Sequence, residues 1–99
     1  MRVAFIGGGT SGDVEQSKEP MWQVERENTR KMQVLMEYRL SHGIPLGNYD
    51  VIETYNLMVM KINKEFKIFY VLEGMSKDDI LEHLYSCWDK SDTIGYDFD

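Results

Sequence analysis

Two apolar runs set back to back dominate the pattern of the chain. Tyr55-Asn56-Leu57-Met58-Val59-Met60-Lys61-Ile62 and Phe66-Lys67-Ile68-Phe69-Tyr70-Val71-Leu72-Glu73 flank Asn63-Lys64-Glu65. Neither run contains Gly or Pro, and both are rich in β-branched, aromatic and long apolar side chains, so they predict an antiparallel hairpin. A tight loop at Lys64-Glu65 would set Ile62 opposite Lys67, Met60 opposite Phe69 and Met58 opposite Val71. A longer loop starting at Asn63 is equally compatible, because Lys-Glu lacks the Gly or Asn that tight turns favour. In either case alternation puts Met58, Met60, Ile62, Phe69 and Val71 on one face, and Tyr55, Leu57, Val59, Phe66, Ile68, Tyr70 and Leu72 on the other. Both faces are apolar, so the hairpin needs a cover on each side or a partner on one.

The remaining pattern supplies the covers. Arg2–Ile6 reads as a short buried strand. From Met21 to His42 the spacing is helical: Met32, Leu35, Met36 and Leu40, with Tyr38 alongside, recur at three and four residues, Pro20 suits a start, and Gly43 with Pro45 a stop. Asn28 and Thr29 interrupt that stripe, so Met21, Trp22 and Val24 form either its first turn or a separate segment. A helix packed on the hairpin accounts for the stripe. Ile44–Asp50 reads as a loop, and Val51–Thr54 extends the first hairpin strand. After Gly74, Ser76 is placed as an N-cap, Asp79 stands in a capping-box position and Met75 and Ile80 can close as a staple. Ile80, Leu81, Leu84, Tyr85 and Trp88 then form one arc, expected to bury on the hairpin. The fold class is α+β, in the order β-α-β-β-α, with helices packed on a small mixed or antiparallel sheet. Residues 1–90 are expected to form one compact domain with a Gly-rich loop over 7–20, and residues 91–99, which have no period, a loose acidic tail.

Charge adds a second asymmetry. The formal charge of −6 arises wholly from residues 73–99, where eight acids stand against Lys77 and Lys90. An acidic end argues against direct nucleic-acid binding, and Arg26, Arg30, Lys31 and Arg39 are interspersed with Glu25, Glu27 and Glu37 rather than forming a basic recognition helix. No apolar run approaches a membrane span, the N-terminus lacks secretory features, and Cys87 has no second cysteine to pair with; a cytoplasmic location is the expectation.

Three groups of residues carry candidate chemistry. Gly7, Gly9 and Gly12 fit G-x-G-x-x-G after a strand, and with Thr10 and Ser11 they would cradle a phosphate if a helix followed. Over Met1–Val14 this opening resembles the Gly-rich first loop of nucleotide-sugar glycosyltransferases and of flavin- or nicotinamide-binding enzymes, which implies nucleotide binding with Glu37 as the one acid placed for a ribose. The residues themselves read instead as a glycine-rich connection, since Asp13–Pro20 offers one apolar residue and a proline. Asp79, His83 and Cys87 recur every four residues, a spacing that suits metal ligands or a cysteine nucleophile with its base, or simply a helix flank. Finally Asp78, Asp79, Glu82, Asp89 and Asp92, with Tyr96, Asp97 and Phe98 in the tail, suit a basic protein surface, acids steering and aromatics anchoring. The leading expectation is therefore a non-catalytic, cofactor-free interaction module, a small acidic regulator or inhibitor of a basic protein surface, one that normally binds nucleic acid being one such surface. The alternative is a phosphate-binding protein or small enzyme using the glycine loop. A homodimer through the Met58/Met60/Ile62/Phe69/Val71 face is expected if both helices cover the opposite face.

Overall fold

The architecture is taken from a computed structural model that describes residues 1–43 and 51–98; the predicted loop over 44–50, and residue 99, lie outside them. Six strands in one mixed sheet and two helices give an α+β fold. Strand β5 (Glu65–Leu72) is its axis. It pairs antiparallel with β4 (Ile52–Ile62) along its length, and its other edge is divided between β1 (Arg2–Ile6), parallel along Phe69–Val71, and β6 (Thr93–Tyr96), antiparallel along Glu65–Lys67. Strand β2 (Val14–Gln16) flanks β1 and β3 (Gln23–Glu27) flanks β4, giving the order β2-β1-β5-β4-β3.

The hairpin turn is Asn63-Lys64. Both residues have positive φ, +49° and +66°, as the primed turns that match strand twist require, and Ile62 pairs with Glu65. Asn63 meets the conformational demand that Lys-Glu does not. The register is thus offset by two residues from a Lys64-Glu65 loop, and an offset of two leaves every side chain on its expected face.

Each face of the hairpin has its own core. Helix α2 (Lys77–Cys87) lies on the first, where Leu84 and Cys87 pack with Ala4, Ile6, Phe69 and Val71, joined by Met60, Ile62, Met75, Ile80 and Trp88. The hydroxyl of Ser76 accepts the Asp79 N–H at 3.2 Å, the expected cap. Lys67 belongs to this face and is 6% exposed. Its Nζ donates to the Trp88 carbonyl at 2.9 Å and lies 5.0 Å from the Trp88 ring centroid, while the Glu65 carboxylate accepts from Trp88 Nε1. The buried ammonium is therefore satisfied.

The second face closes on itself. Val3, Phe5, Val24, Tyr55, Ile68 and Tyr70 form its core, with Phe5 edge-on to Tyr55 at 4.9 Å and stacked on Tyr70 at 5.1 Å. In a flat sheet β2 and β3 would be about 19 Å apart, four strand spacings. Here Arg26 of β3 reaches Glu15 of β2 at 3.0 Å and lies over the Phe5 ring, so the sheet curls into a half-barrel whose edges are bridged by these side chains. Curling buries the aromatic face without a second helix.

Three expectations are corrected. Residues 23–27 are a strand, not helix: Gln, Glu and Arg favour helix locally, but pairing with β4 and burial of Val24 decide otherwise. The interruption at Asn28-Thr29 is a true start, since Asn28 Oδ1 caps α1 (Thr29–Ser41) by accepting the Lys31 N–H at 3.0 Å. Secondly, α1 does not pack on the hairpin: none of its residues is buried. It leaves the sheet where Asn28 N–H donates to the Val51 carbonyl, the last rung between β3 and β4. The described residues extend 62 × 28 × 19 Å with a radius of gyration of 16.4 Å, against about 13 Å for a compact domain of this length. Thirdly, residues 91–97 are not loose. Ser91 is 1% exposed and accepts the Ala4 N–H, Asp92 is clasped by Arg2, and β6 completes the edge of β5. Four residues without a period carry no strand signal by themselves; the partner edge supplies it.

With α2 on the Met60/Ile62/Phe69/Val71 face, that surface is covered within the chain, so the condition under which it would be left for a dimer, both helices on the opposite face, is not met. No helix among the described residues is long and apolar enough to cross a membrane.

Candidate functional site

The glycine segment is a structured turn of the β1–β2 hairpin. Gly7 N–H donates to Ser11 Oγ at 3.0 Å, Ser11 N–H to the Gly8 carbonyl, and Gly12 N–H to the Phe5 carbonyl at 2.9 Å. The strand β2 follows, so the helix N-terminus that a dinucleotide loop requires is not supplied by the residues after Gly12. Gly9 N–H donates to Glu53 Oε1 at 2.8 Å, and the Tyr55 hydroxyl donates to the Gly7 carbonyl at 2.8 Å. A carboxylate thus holds the amide that a phosphate would need. Thr10 lies between, its buried hydroxyl without a partner among the described residues. Gly8 is required on two counts: its φ is +68°, and a Cβ there would lie 2.5 Å from the Tyr55 hydroxyl.

The acids divide by role. Asp92 is structural: its two oxygens accept from the Arg2 backbone N–H at 2.7 Å and from Arg2 Nε at 2.8 Å. These two hydrogen bonds hold its carboxyl below the usual aspartate value. Asp97 is paired with Lys61 at 2.5 Å. By contrast Asp78, Asp79, Glu82 and Asp89 are exposed on α2 and the 3-10 turn Trp88–Lys90 that continues it. Asp78, Leu81, Glu82 and Tyr85 share one stripe, at i, i+3, i+4 and i+7, on the outer side of α2. Within it Leu81 is 41% and Tyr85 72% exposed. Tyr96, opposite Glu65, stands on the same side of the sheet, with the exposed Phe98 ring 6.2 Å from its own.

Sequence periodicity placed Leu81 and Tyr85 in the buried arc. At 100° per residue, however, Ile80, Leu84 and Cys87 fall within about 60° of one another, while Leu81 and Tyr85 lie roughly 100–140° round from Ile80. Cys87, not Tyr85, completes the buried face, and its thiol is enclosed. The same drift separates Cys87 from Asp79, and no group of three or more His, Cys, Asp or Glu side chains among the described residues converges as metal ligands.

The polar lining of the curled face also titrates. Burial, and then the neighbouring Glu15 carboxylate, push the Tyr70 phenol above its ordinary value, against the opposing hydrogen bond to the Met21 carbonyl and the Arg26 charge. A raised phenol contributes stability that is present below about pH 10 and lost as pH rises through the folded value; a depressed carboxyl contributes stability that is present above about pH 4 and lost as pH falls through the folded value. Urea melts across the pH range are therefore expected to show Tyr70→Phe losing less stability than wild type at the alkaline end, and Asp92→Asn losing less at the acid end. Unchanged limbs in both variants would refute these assignments.

Of the two readings open for Trp22, a first helical turn or a separate segment, the structure has the second. It lies just before β3 with its side chain 81% exposed, its carbonyl held by Leu57 N–H. Comparison with protein-family models, curated proteins and solved structures gives no match for this chain.

Proposed function

We propose that the chain is a non-catalytic interaction module whose outer α2 surface docks on a basic, partly apolar protein surface. The observation that carries this reading is the exposed stripe Asp78, Leu81, Glu82, Tyr85, continued by Asp89. Two large apolar side chains flanked by acids on a rigid, well-capped helix combine an anchor with electrostatic steering. Tyr96 and Phe98 widen the surface on the same side of the sheet. Asp92 and Asp97 contribute to its stability rather than to recognition, because Arg2 and Lys61 already hold them.

The glycine-loop alternative is disfavoured by Glu53. A nucleotide phosphate at Gly9 would have to displace this carboxylate or neutralise it.

The test is an amide chemical-shift titration with short amphipathic helical peptides carrying Lys and Arg. Shifts are expected in residues 78–89, weakening steeply as salt rises because the facing charges are exposed. Asp78→Lys/Glu82→Lys should reduce affinity at least about fivefold, and Tyr85→Ala at least about tenfold. Equal affinity for wild type and both variants would sink the reading.

A further inference from the structure

We infer that the Gly7–Gly12 turn is a coupling device: it joins the base of α1 to both ends of the α2 unit, so that whatever draws on the projecting helix is felt along α2. The coupling holds whether or not α2 docks on a partner.

Three consecutive glycines of the turn face three different elements. A Cβ on Gly7 would run into the Sδ of Met75 and stand 3.1 Å from Leu72 Cβ, at the step from β5 into α2. One on Gly8 would meet the Tyr55 hydroxyl and, at 2.8 and 2.9 Å, the two carboxylate oxygens of Glu53, both residues of β4. One on Gly9 would lie 2.6 Å from Cγ of Asn28, the cap of α1. Each neighbour reaches the backbone of the turn only because no side chain stands there. Further round, the Gly12 carbonyl accepts from Lys90 Nζ at 3.0 Å, at the close of the 3-10 turn that continues α2. The glycine pattern thus marks a junction between both helices and the sheet.

The turn is braced within itself. Gly7 N–H donates to Ser11 Oγ, Ser11 N–H to the Gly8 carbonyl and Asp13 N–H to the Thr10 carbonyl, while Glu53 pins its centre by accepting the Gly9 N–H at 2.8 Å. A displacement at Gly9 is therefore passed on to Gly7 and Gly12 through bonded groups. On the α1 side Asn28 is the receiver. Its Oδ1 accepts the Lys31 N–H, its backbone N–H reaches the Val51 carbonyl, and no residue of the helix beyond it is buried. On the α2 side Met75 is the receiver, donating to the Leu72 carbonyl and packing in the core beneath α2.

Amide hydrogen exchange of the full chain tests the coupling. The reporters are bonded amides at the helix starts, Lys31 and Met32 for α1 and Met75, Asp79 and Ile80 for α2, with the paired Met58 and Phe69 of the sheet as reference. Gly9→Ala pushes on Asn28 and should speed exchange at both helix starts at least about threefold, leaving the reference amides unchanged. Gly95→Ala makes the same change to the unfolded chain, but its Cβ would meet nothing within 4 Å, so every reporter should keep its wild-type rate. Glu53→Ala frees the Gly9 N–H without adding an atom to the turn and should reproduce the Gly9→Ala pattern. Glu53→Gln keeps an acceptor there and should restore wild-type rates; this pair decides the matter if Gly9→Ala does not fold. Acceleration confined to one helix, equal acceleration of the reference amides, or no acceleration at all would overturn the inference.

Discussion

Tyr55→Ala is expected to destabilise the protein by about 3–5 kcal/mol, the range for emptying a large aromatic site in a core. Tyr55 is fully buried at the point where the curled sheet closes, edge-on to Phe5 and paired with Val24 of β3. Its hydroxyl also ties β4 to the glycine turn through the Gly7 carbonyl. Alanine would remove the ring from the half-barrel interior and release one of the two side chains, with Glu53, that hold the turn. Tyr55→Phe separates the two contributions: it keeps the ring and loses one hydrogen bond, and should cost about 1 kcal/mol. Urea denaturation of the three proteins is the measurement, and a Tyr55→Ala cost below about 1.5 kcal/mol would mean that the second face is not a true core.

Truncation after Lys90 is expected to cost at least about 3 kcal/mol, although only a short end of the chain is removed. The largest part comes from the Ser91 hydroxyl, which satisfies the fully buried N–H of Ala4 at 2.8 Å. An orphaned buried donor costs about 1–3 kcal/mol. The Asp92 clasp on Arg2, the β6 ladder against Glu65–Lys67 and the Asp97–Lys61 pair are lost with it. Ser91→Ala isolates the buried bond and should cost about 1–2 kcal/mol within a chain that still folds. Should the truncated chain be too unstable to purify, the Ser91→Ala melt decides the matter: a cost near zero would show that the segment adds nothing to β1.

These two effects bear directly on the proposed docking surface. The half-barrel core and the β1 clasp brace the sheet, and α2 with its exposed stripe packs on that sheet. A docking helix on a loose base would lose affinity to ordering entropy.

The sequence by itself determined the hairpin, the face of each of its side chains, the short first strand and the α2 start at Ser76. Each is a local property: alternation, β-branched and aromatic content, and a cap three residues before the N–H that donates to it. It also carried the acidic imbalance on which the proposed docking surface is argued. What only the tertiary structure decided was everything set by a distant partner. Gln23–Glu27 becomes a strand because β4 offers an edge, Thr93–Tyr96 because β5 does, and the aromatic face is covered because Glu15 and Arg26 draw two sheet edges together. Likewise the glycine motif is a hairpin turn answered by Glu53, forty-four residues away. In every such case the free energy comes from contacts between residues far apart in the chain, whose pairing no local period encodes.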